Sequence, residues 1–309
     1  MASVSLPEEV RDACAWVAAR ARSVRIEEGA IESYAAALPA ANAADEPAAG
    51  IASAERETRA AYAICLNAIN FGSGWWPTIR KRPGHSGFFT VAAGLGERFR
   101  DDGPWRPEEL AGLDAAAVAA VLGQDPEHPL MAQFATALRD VGGHVLADHG
   151  SEFAAVAEAA GGSAPALAGL LGSWDAFADV STYEGRRVPF FKRAQLAAAD
   201  LDRAGVAALR DLDRLTAFAD NLVPHVLRVD GILRLDPELI AAIEAGRLLV
   251  HGSAPEVELR AAAVQAVELL AAASGGRFSP PEIDLALWNR GRAPRCKSLP
   301  RPRSRNTAY

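Results

Sequence analysis

Apolar residues recur at helical spacing along most of this chain of 309 residues. Near the N-terminus, Val10, Cys14 and Val17 fall on one face, which predicts an amphipathic helix over residues 8–21. Residues 55–71 continue the pattern and are followed by glycines that end a helix. The alternation of apolar and polar positions that marks a strand is nearly absent. The pattern therefore predicts a helical protein.

Further helices follow along the rest of the chain. Short breaks divide residues 90–160 into several helices, and residues 36–54 are Ala-rich and predict a loop or a weak helix. Residues 75–89 contain too many glycines and prolines for a long helix and predict an ordered loop or a short hairpin. The remaining predicted helices are residues 164–171, 191–204, 209–218, 224–233, 237–245 and 256–273.

These elements predict an all-α fold in a single domain over residues 1–309. A division into two lobes, with an N-terminal lobe over about residues 1–160 and a C-terminal lobe over about residues 161–309, would leave a central cleft between them. A chain of this length can bury a full hydrophobic core in either arrangement.

The composition favours helices and argues against some classes of function. Half of the residues are hydrophobic and alanine, the strongest helix former, dominates them. A net charge of −7 argues against a general affinity for DNA or RNA. Three scattered cysteines form neither a disulfide framework nor a zinc site and indicate a reducing cytoplasm. We find no signal peptide and no membrane-spanning segment in the sequence.

Two segments carry the candidate chemistry. In YEGRRVPFFKRAQ (residues 183–195) a turn delivers Lys192 and Arg193 to the first turn of an Ala-rich helix. In LTAFADNLVP (residues 215–224) Asp220 stands among apolar residues where another helix begins. Free backbone N–H groups at a helix start together with a lysine form an anion site. A carboxylate in a dry pocket can stabilise positive charge on a reacting sugar carbon.

Both segments also have structural explanations. Asp220 suits the N-terminal cap of the following helix, which is the commoner role of an aspartate at such a position. The basic residues around Lys192 could form a solvated surface. The basic tail, residues 291–309, contains no acidic residue and either is disordered or folds back over an anionic site.

Aromatic residues are concentrated before these segments, although they make up only 7% of the chain. Core packing explains such a cluster, and a stacking surface for a heterocyclic base is the alternative. Asn70, beside the cluster, has an amide that could contact a base edge. The cluster consists of Phe71, Trp75, Trp76, Phe88 and Phe89.

The sequence predicts no metal ion and no organic cofactor. His144 and His149 do not have the i, i+4 spacing that places two ligands on one helix face. The phosphate-binding P-loop, the dinucleotide-binding glycine pattern and the G-x-S-x-G elbow are all missing from the sequence.

At these same segments the chain resembles the queuosine salvage proteins, which are queuosine 5′-phosphate N-glycosidases. Residues 183–195 are close to the family's FEGKRVxFYKRAQ, and residues 215–224 are similar to its LTxFADYRVPQVL. Residues 256–270 resemble its EVEIR…VELI, and residues 66–71 resemble its LNFxFW. Trp288 and RSRNTAY (residues 303–309) are similar to the family's aromatic and basic C-terminus.

The resemblance is good over residues 170–309 and otherwise limited to residues 62–95. Asn221 and Leu222 replace the Tyr-Arg pair that follows the aspartate in the family, which affects expected substrate contacts more than the expected reaction. The segment around residues 39–50 matches no family pattern.

The resemblance implies a fold like that of the helix-hairpin-helix DNA glycosylases, in which a lysine and an aspartate at helix starts bracket the N-glycosidic bond. Lys192 and Asp220 match these positions. It also implies hydrolysis of queuosine 5′-monophosphate to queuine and ribose 5-phosphate. We predict Asp220 as the catalytic residue, and we predict as substrate-binding residues Lys192, Phe190, Phe191, Phe71, Asn70, Trp75, Arg193 and Tyr309.

Two alternative functions remain open from the residues alone. One is a nucleic-acid base glycosylase that flips a base out of a polymer, which the acidity of the chain disfavours. The other is a helical nucleotide-binding protein without catalysis. For Asp220, covalent attack and charge stabilisation are both compatible with the sequence.

Overall fold

The computed structural model describes residues 4–39 and 51–309, and this part of the chain is mostly helical. Helices α1 to α15 are, in order, Leu6–Ala18, Ile31–Ala37, Arg56–Ala68, Gly87–Asp102, Pro107–Ala111, Ala115–Leu122, Pro129–Asp148, Phe153–Glu158, Ala164–Gly172, Lys192–Arg203, Leu222–Val229, Pro237–Glu244, Ala254–Ala273, Pro280–Arg290 and Pro294–Lys297. The prediction of a largely helical fold is confirmed. Residues 40–50, part of the predicted loop or weak helix, lie outside the described residues.

Four short strands form two antiparallel pairs. Strand β1 (Val24–Ile26) pairs with β4 (Leu233–Leu235), and β2 (Val180–Tyr183) pairs with β3 (Arg186–Pro189). The β2–β3 turn consists of Glu184 and Gly185, both with positive φ, at 46° and 78°. Two such residues make the turn type that matches the twist of a tight hairpin. The predicted turn before Lys192 is therefore the tip of a hairpin.

Most predicted helices form within a few residues of their expected bounds, but the helix predicted over residues 209–218 is wrong. Only Leu212–Arg214 makes a short 3₁₀ turn there. The backbone N–H of Thr216 donates to the Gln195 side chain at 2.9 Å, and that of Phe218 donates to Asp284 at 2.9 Å. These N–H groups are thus satisfied by side chains of other helices instead of by a helical ladder.

The helices pack around three hydrophobic clusters. The largest includes residues from Ile51 to Phe218 and draws on α3 to α10. The second joins α2, the β1–β4 pair and the helices α11 to α14. The third lies between α1, the β2–β3 hairpin and α13. The lobe boundary predicted near residue 160 lies within the largest cluster, and the division into lobes stays a prediction.

Helix α13 runs through the centre of this arrangement and carries a buried ion pair. The guanidinium of Arg260 donates two hydrogen bonds to Asp179, at 2.9 and 2.7 Å, just before β2. Both residues are only 1% exposed. Asp179 also accepts the backbone N–H of Lys192 at 3.0 Å, so the pair ties α13 to the start of α10. Among the described helices, none combines the length and the apolar character that crossing a membrane requires.

We expect Asp179→Ala to lower the free energy of unfolding by about 3–5 kcal/mol, because it leaves the Arg260 charge buried without its partner. Chemical denaturation followed by circular dichroism measures this change. The matched control is Glu158→Ala, which breaks the exposed ion pair between Glu158 and Arg56 and should cost less than about 1 kcal/mol. Equal losses in the two variants would contradict a central role for the buried pair.

Candidate active site

A cavity of about 360 Å³ lies where α10, α11, α14 and the C-terminal residues meet. This volume lies in the range of about 300–1,000 Å³ that is usual for small-molecule sites. Lys192 and Asp220 both line it, so the two residues singled out in the sequence share one cavity. Seven basic side chains and three carboxyl groups line its walls, although the whole chain has a net charge of −7. The cavity therefore suits an anionic ligand.

Lys192 is fixed at the first position of α10 by the residues before it. Phe191 adopts a left-handed conformation, with φ of 50°, which turns the chain from β3 into the helix. Asp179, which is not part of α10, accepts the backbone N–H of Lys192 and so caps the N-terminus of this helix. The Lys192 side chain is buried and its Nζ donates to the Asn70 carbonyl at 3.3 Å. Burial lowers the pKa of Lys192 to about 8, and the nearby charge of Asp220 opposes this shift.

Asp220 lies in a loop that three helices hold in place. Gln195 of α10 bonds to Thr216, and Asp284 of α14 accepts the N–H of Phe218. Arg260 of α13 donates from Nε to the carbonyl of Ala219, the residue before Asp220, at 3.0 Å. The loop is therefore fixed over the residues that lead up to its catalytic candidate.

The Asp220 side chain caps a helix and still lines the cavity. Its Oδ1 accepts the backbone N–H groups of Leu222 at 2.7 Å and Val223 at 3.1 Å, which caps α11. The residue is only partly buried and lines the cavity, so capping orients the carboxylate without removing it from a ligand's reach. Capping and chemistry are compatible here.

Asp284 is a third acidic group in the cavity that the sequence analysis missed. It is 6% exposed and its Oδ1 accepts the Phe218 N–H. Burial, reinforced by the charge of Asp220, raises the pKa of Asp284 well above its usual range, which favours the protonated acid. The sequence did contain a signal for this residue, because Asp284 lies between Ile283 and Leu287 on the apolar, buried face of α14. An acid on the apolar face of an amphipathic helix is unusual and is often functional.

The predicted aromatic cluster forms part of the cavity wall. Phe71, Trp76, Phe88 and Phe89 line it, and Trp288 from α14 joins them. The ring centroids of Trp288 and Phe89 are 5.9 Å apart. Flat rings that face a cavity offer a stacking surface for a heterocyclic base.

The predicted substrate-binding residues divide into two groups. Lys192, Asn70, Phe71 and Tyr309 line the cavity. The Tyr309 hydroxyl donates to Glu256 at 2.6 Å, which fixes its ring beside Arg260. The other four predicted residues are outside the cavity lining: Phe190, Phe191, Trp75 and Arg193.

Each residue of this second group has a structural contact instead. Phe190 packs against the Arg260 guanidinium, and Phe191 is buried in the largest cluster. Trp75 lies under the guanidinium of Arg305. Arg193 is fully buried and donates to the carbonyls of Ala68, Thr307 and Ala308. These contacts would have to break before any of the four could reach a ligand in the cavity.

The basic tail folds against the protein. Between residues 291 and 309 the chain contributes Arg292, Lys297, Arg301, Arg303 and Tyr309 to the cavity lining. Of the two possibilities left open by the sequence, the structure shows the tail folded over the site. Within the described ranges, no three His, Cys, Asp or Glu side chains are grouped so as to hold a metal ion.

Comparison with known proteins assigns the chain that forms this cavity to a family. A sequence profile described as "Queuosine salvage protein" matches residues 51–309, which is most of the chain. The chain belongs to the queuosine salvage protein family. A relative from Sphaerobacter thermophilus, named queuosine 5′-phosphate N-glycosylase/hydrolase, is 34% identical over 266 residues, covering 82% of each chain. A relative of the same name from Mus musculus is 32% identical over 198 residues, or 59% of each chain.

The match covers every segment that builds the cavity. The loop after α3, the start of α10, the Asp220 loop, α14 and the tail all lie within residues 51–309. The resemblance noted at residues 183–195 and 215–224 is therefore confirmed as family membership. The roles of individual residues remain predictions.

We expect the ammonium group of Lys192 to titrate near pH 8, below the usual range of a lysine, because it is buried. The chain has only three lysines, and Lys81 and Lys297 are exposed. NMR of ¹³C-labelled lysine side chains should show one signal titrating early, and this signal should vanish in Lys192→Arg. Asp220→Asn should lower its pKa further, because the charge of Asp220 favours the ammonium form. Three signals that titrate together would contradict this environment.

Proposed function

We propose that this protein hydrolyses the N-glycosidic bond of queuosine 5′-monophosphate and releases queuine and ribose 5-phosphate. The observation that carries the proposal is the shared cavity of Asp220, Lys192 and a wall of aromatic rings, in a chain that belongs to the queuosine salvage family. The Sphaerobacter relative, matched over 82% of its length, bears the name of this activity.

The aromatic wall holds the base. Phe88, Phe89 and Trp288 line the cavity with their ring planes between 53° and 87° apart, so a heterocycle stacks on the face of one ring while the others border it. Asp284 lies one helical turn before Trp288 on α14, so both residues lie on the same side of that helix. A base that stacks on the tryptophan therefore has an edge directed at the acid.

Asp220 stabilises the reacting sugar carbon. As the bond from C1′ to the base nitrogen breaks, the electron pair leaves with the base and positive charge develops on the sugar. The Asp220 carboxylate, oriented by the N–H groups of Leu222 and Val223, opposes that charge while water adds to C1′. The positive charge of Lys192 compensates the negative charge of Asp220, and its hydrogen bond to the Asn70 carbonyl holds the loop at that residue.

Asp284 supplies the proton that the departing base needs. Its burial favours the neutral acid, which can pass its proton to the base as the bond breaks. The attacking water then returns a proton to the carboxylate as it forms the C1′ hydroxyl. The acid is restored, and the net reaction consumes one water.

The proposal includes a fold like that of the helix-hairpin-helix glycosylases, a cytoplasmic location and a small nucleotide as the binding partner. The starts of α10 and α11 present Lys192 and Asp220 to one cavity, which supports a fold like that of the helix-hairpin-helix glycosylases. Three buried free cysteines support a cytoplasmic location. The acidic chain with a basic cavity favours a small nucleotide over a nucleic-acid polymer.

We expect Asp220→Asn to reduce the rate of queuine release by at least about 100-fold, because the amide lacks the negative charge that opposes the cationic sugar. Asparagine caps helices as well as aspartate does, so α11 should stay intact. Mass spectrometry of queuosine monophosphate incubations measures the rate, and circular dichroism verifies folding. Release at the wild-type rate would remove Asp220 from the mechanism.

We expect Asp284→Asn to slow hydrolysis of queuosine monophosphate by about 100-fold or more, because an amide cannot donate a catalytic proton. The same variant should hydrolyse 4-nitrophenyl ribofuranoside 5-phosphate at close to the wild-type rate, since that leaving group departs without protonation. Asp220→Asn should slow both substrates. If Asp284→Asn slows both substrates equally, the residue has a structural role and is not the acid.

A further inference from the structure

The connection between α6 and α7 (residues 123–128) holds a segment of the cavity wall from outside the cavity. The Trp76 segment (residues 75–82) contains no helix or strand, and three of its residues line the cavity: Trp76, Pro77 and Lys81. No residue of the connection lines the cavity. The two stretches meet at Arg80 and Gln124, which are 44 positions apart in the sequence.

Gln124 makes the buried contact with the segment. Its side-chain oxygen accepts the backbone N–H of Arg80 at 2.9 Å. Its side-chain nitrogen donates to the Arg80 carbonyl at 2.9 Å and to the Leu122 carbonyl at 3.0 Å. The amide oxygen and both amide hydrogens are thereby used, and the residue is only 8% exposed. The Gln124 side chain thus pairs with the backbone of Arg80 as a neighbouring strand would.

The position of Gln124 is set by the end of α6. Gly123 adopts a left-handed conformation, with φ of 64°, and the N–H of Gln124 donates to the Ala119 carbonyl at 2.9 Å, an arrangement that ends a helix in a fixed geometry. Helix α6 packs closely on α4, because a Cβ at Gly94 would lie 3.1 Å from a backbone oxygen of α6. Gln124 is therefore held beside the helix that carries two rings of the aromatic wall.

Trp76 joins the segment to that wall. Its ring lies against Gly87, the first residue of α4, where a Cβ would lie 2.5 Å from Cδ2 of Trp76. Phe88 and Phe89 follow directly, and all three aromatic side chains line the cavity. A displacement of the Trp76 segment would therefore change the shape of the wall at the rings on which the base is proposed to stack.

The other contacts between the connection and the segment are exposed. Oγ1 of Thr78 lies 2.9 Å from Nε2 of His128, and the guanidinium of Arg80 lies 3.9 Å from the carboxylate of Asp125. Exposed contacts contribute less than buried hydrogen bonds, because water competes for the same groups. Gln124 is therefore the principal anchor that the connection offers to the segment.

We propose that Gln124 is a positioning residue for the base: it holds the Trp76 segment against α4 and thereby sets the shape of the aromatic wall that binds queuine. This inference rests on the proposed function, because it takes the aromatic wall as the site of the base. Gln124 acts through Trp76 and lies outside the cavity. Asp220 and Lys192 are held by other parts of the chain, so loss of Gln124 should weaken binding of the base and leave the catalytic groups in place.

The test compares two ligands that occupy different parts of the cavity. Gln124→Met keeps the length of the side chain and removes its hydrogen bonds, so we expect queuine to bind about 10-fold more weakly than to wild type. Ribose 5-phosphate should bind within about threefold of wild type, because it does not reach the aromatic wall. Titration calorimetry measures both dissociation constants, and circular dichroism verifies folding. Equal losses for the two ligands would overturn the proposal.

The matched control is Gln133→Met, the same change at an exposed position of α7 outside the cavity lining. It should bind both ligands as wild type does. In hydrolysis of queuosine 5′-monophosphate, Gln124→Met should raise KM by about 10-fold and leave kcat within about threefold of wild type, since the catalytic groups keep their positions. A fall in kcat with an unchanged KM would contradict a role in binding the base.

A double-mutant cycle shows whether Gln124 acts through Trp76. Trp76→Ala alone should weaken queuine binding, because it removes one ring of the wall. Addition of Gln124→Met should weaken binding by less than about a further twofold, since the segment then has no ring to position. Fully additive losses would show that Gln124 acts by another route, and the proposal would fail.

Queuine binding needs no catalysis and therefore separates this inference from the proposed reaction. If wild-type protein binds queuine with the expected dependence on Gln124 but releases none from the nucleotide, the reaction fails and the positioning role stands. If queuine is released and Gln124→Met binds it as tightly as wild type does, the positioning role fails alone. Wild-type protein without affinity for queuine would also refute the positioning role.

Discussion

The candidate site depends on the buried guanidinium of Arg260. It binds Asp179, which caps the helix that starts at Lys192, and it donates to the carbonyl of Ala219 beside Asp220. The two ends of the proposed chemistry are therefore attached to one side chain of α13. Its ring contacts with Phe190 and Tyr309 extend the same anchor to the hairpin and to the basic tail. Breaking this contact would release several walls of the cavity together.

Removal of water from around the side chains of the cavity shifts their pKa values, and the same burial holds these side chains in place. Burial shifts the pKa of Lys192 downward and that of Asp284 upward, which favours the uncharged form of each group. Arg301 and Arg303 also line the cavity and are partly buried. In the proposed reaction, the aromatic wall binds the base, Asp220 stabilises the sugar carbon and the basic side chains of the cavity suit the phosphate.

Local sequence signals predicted the helices well where periodicity and caps agreed. Residues 183–195 predicted a turn and a helix start, and the structure has the Glu184–Gly185 hairpin tip and α10 there. Residues 209–218 show the limit of such signals. Their apolar spacing favours a helix, but Gln195 and Asp284 bind their N–H groups and hold the segment extended. Partners distant in sequence overrode a local preference, as tertiary contacts often do.

The sequence by itself determined the helical class, the family, and the pairing of Lys192 with Asp220, because these rest on short-range patterns that survive in a linear chain. Only the tertiary structure decided which nearby residues enter the cavity. Phe190, Phe191 and Arg193 flank Lys192 yet point into the core, since successive residues at a helix start face different directions. Asp284, Arg301 and Arg303 come from later segments, and only the packing of the folded chain brings them into the cavity.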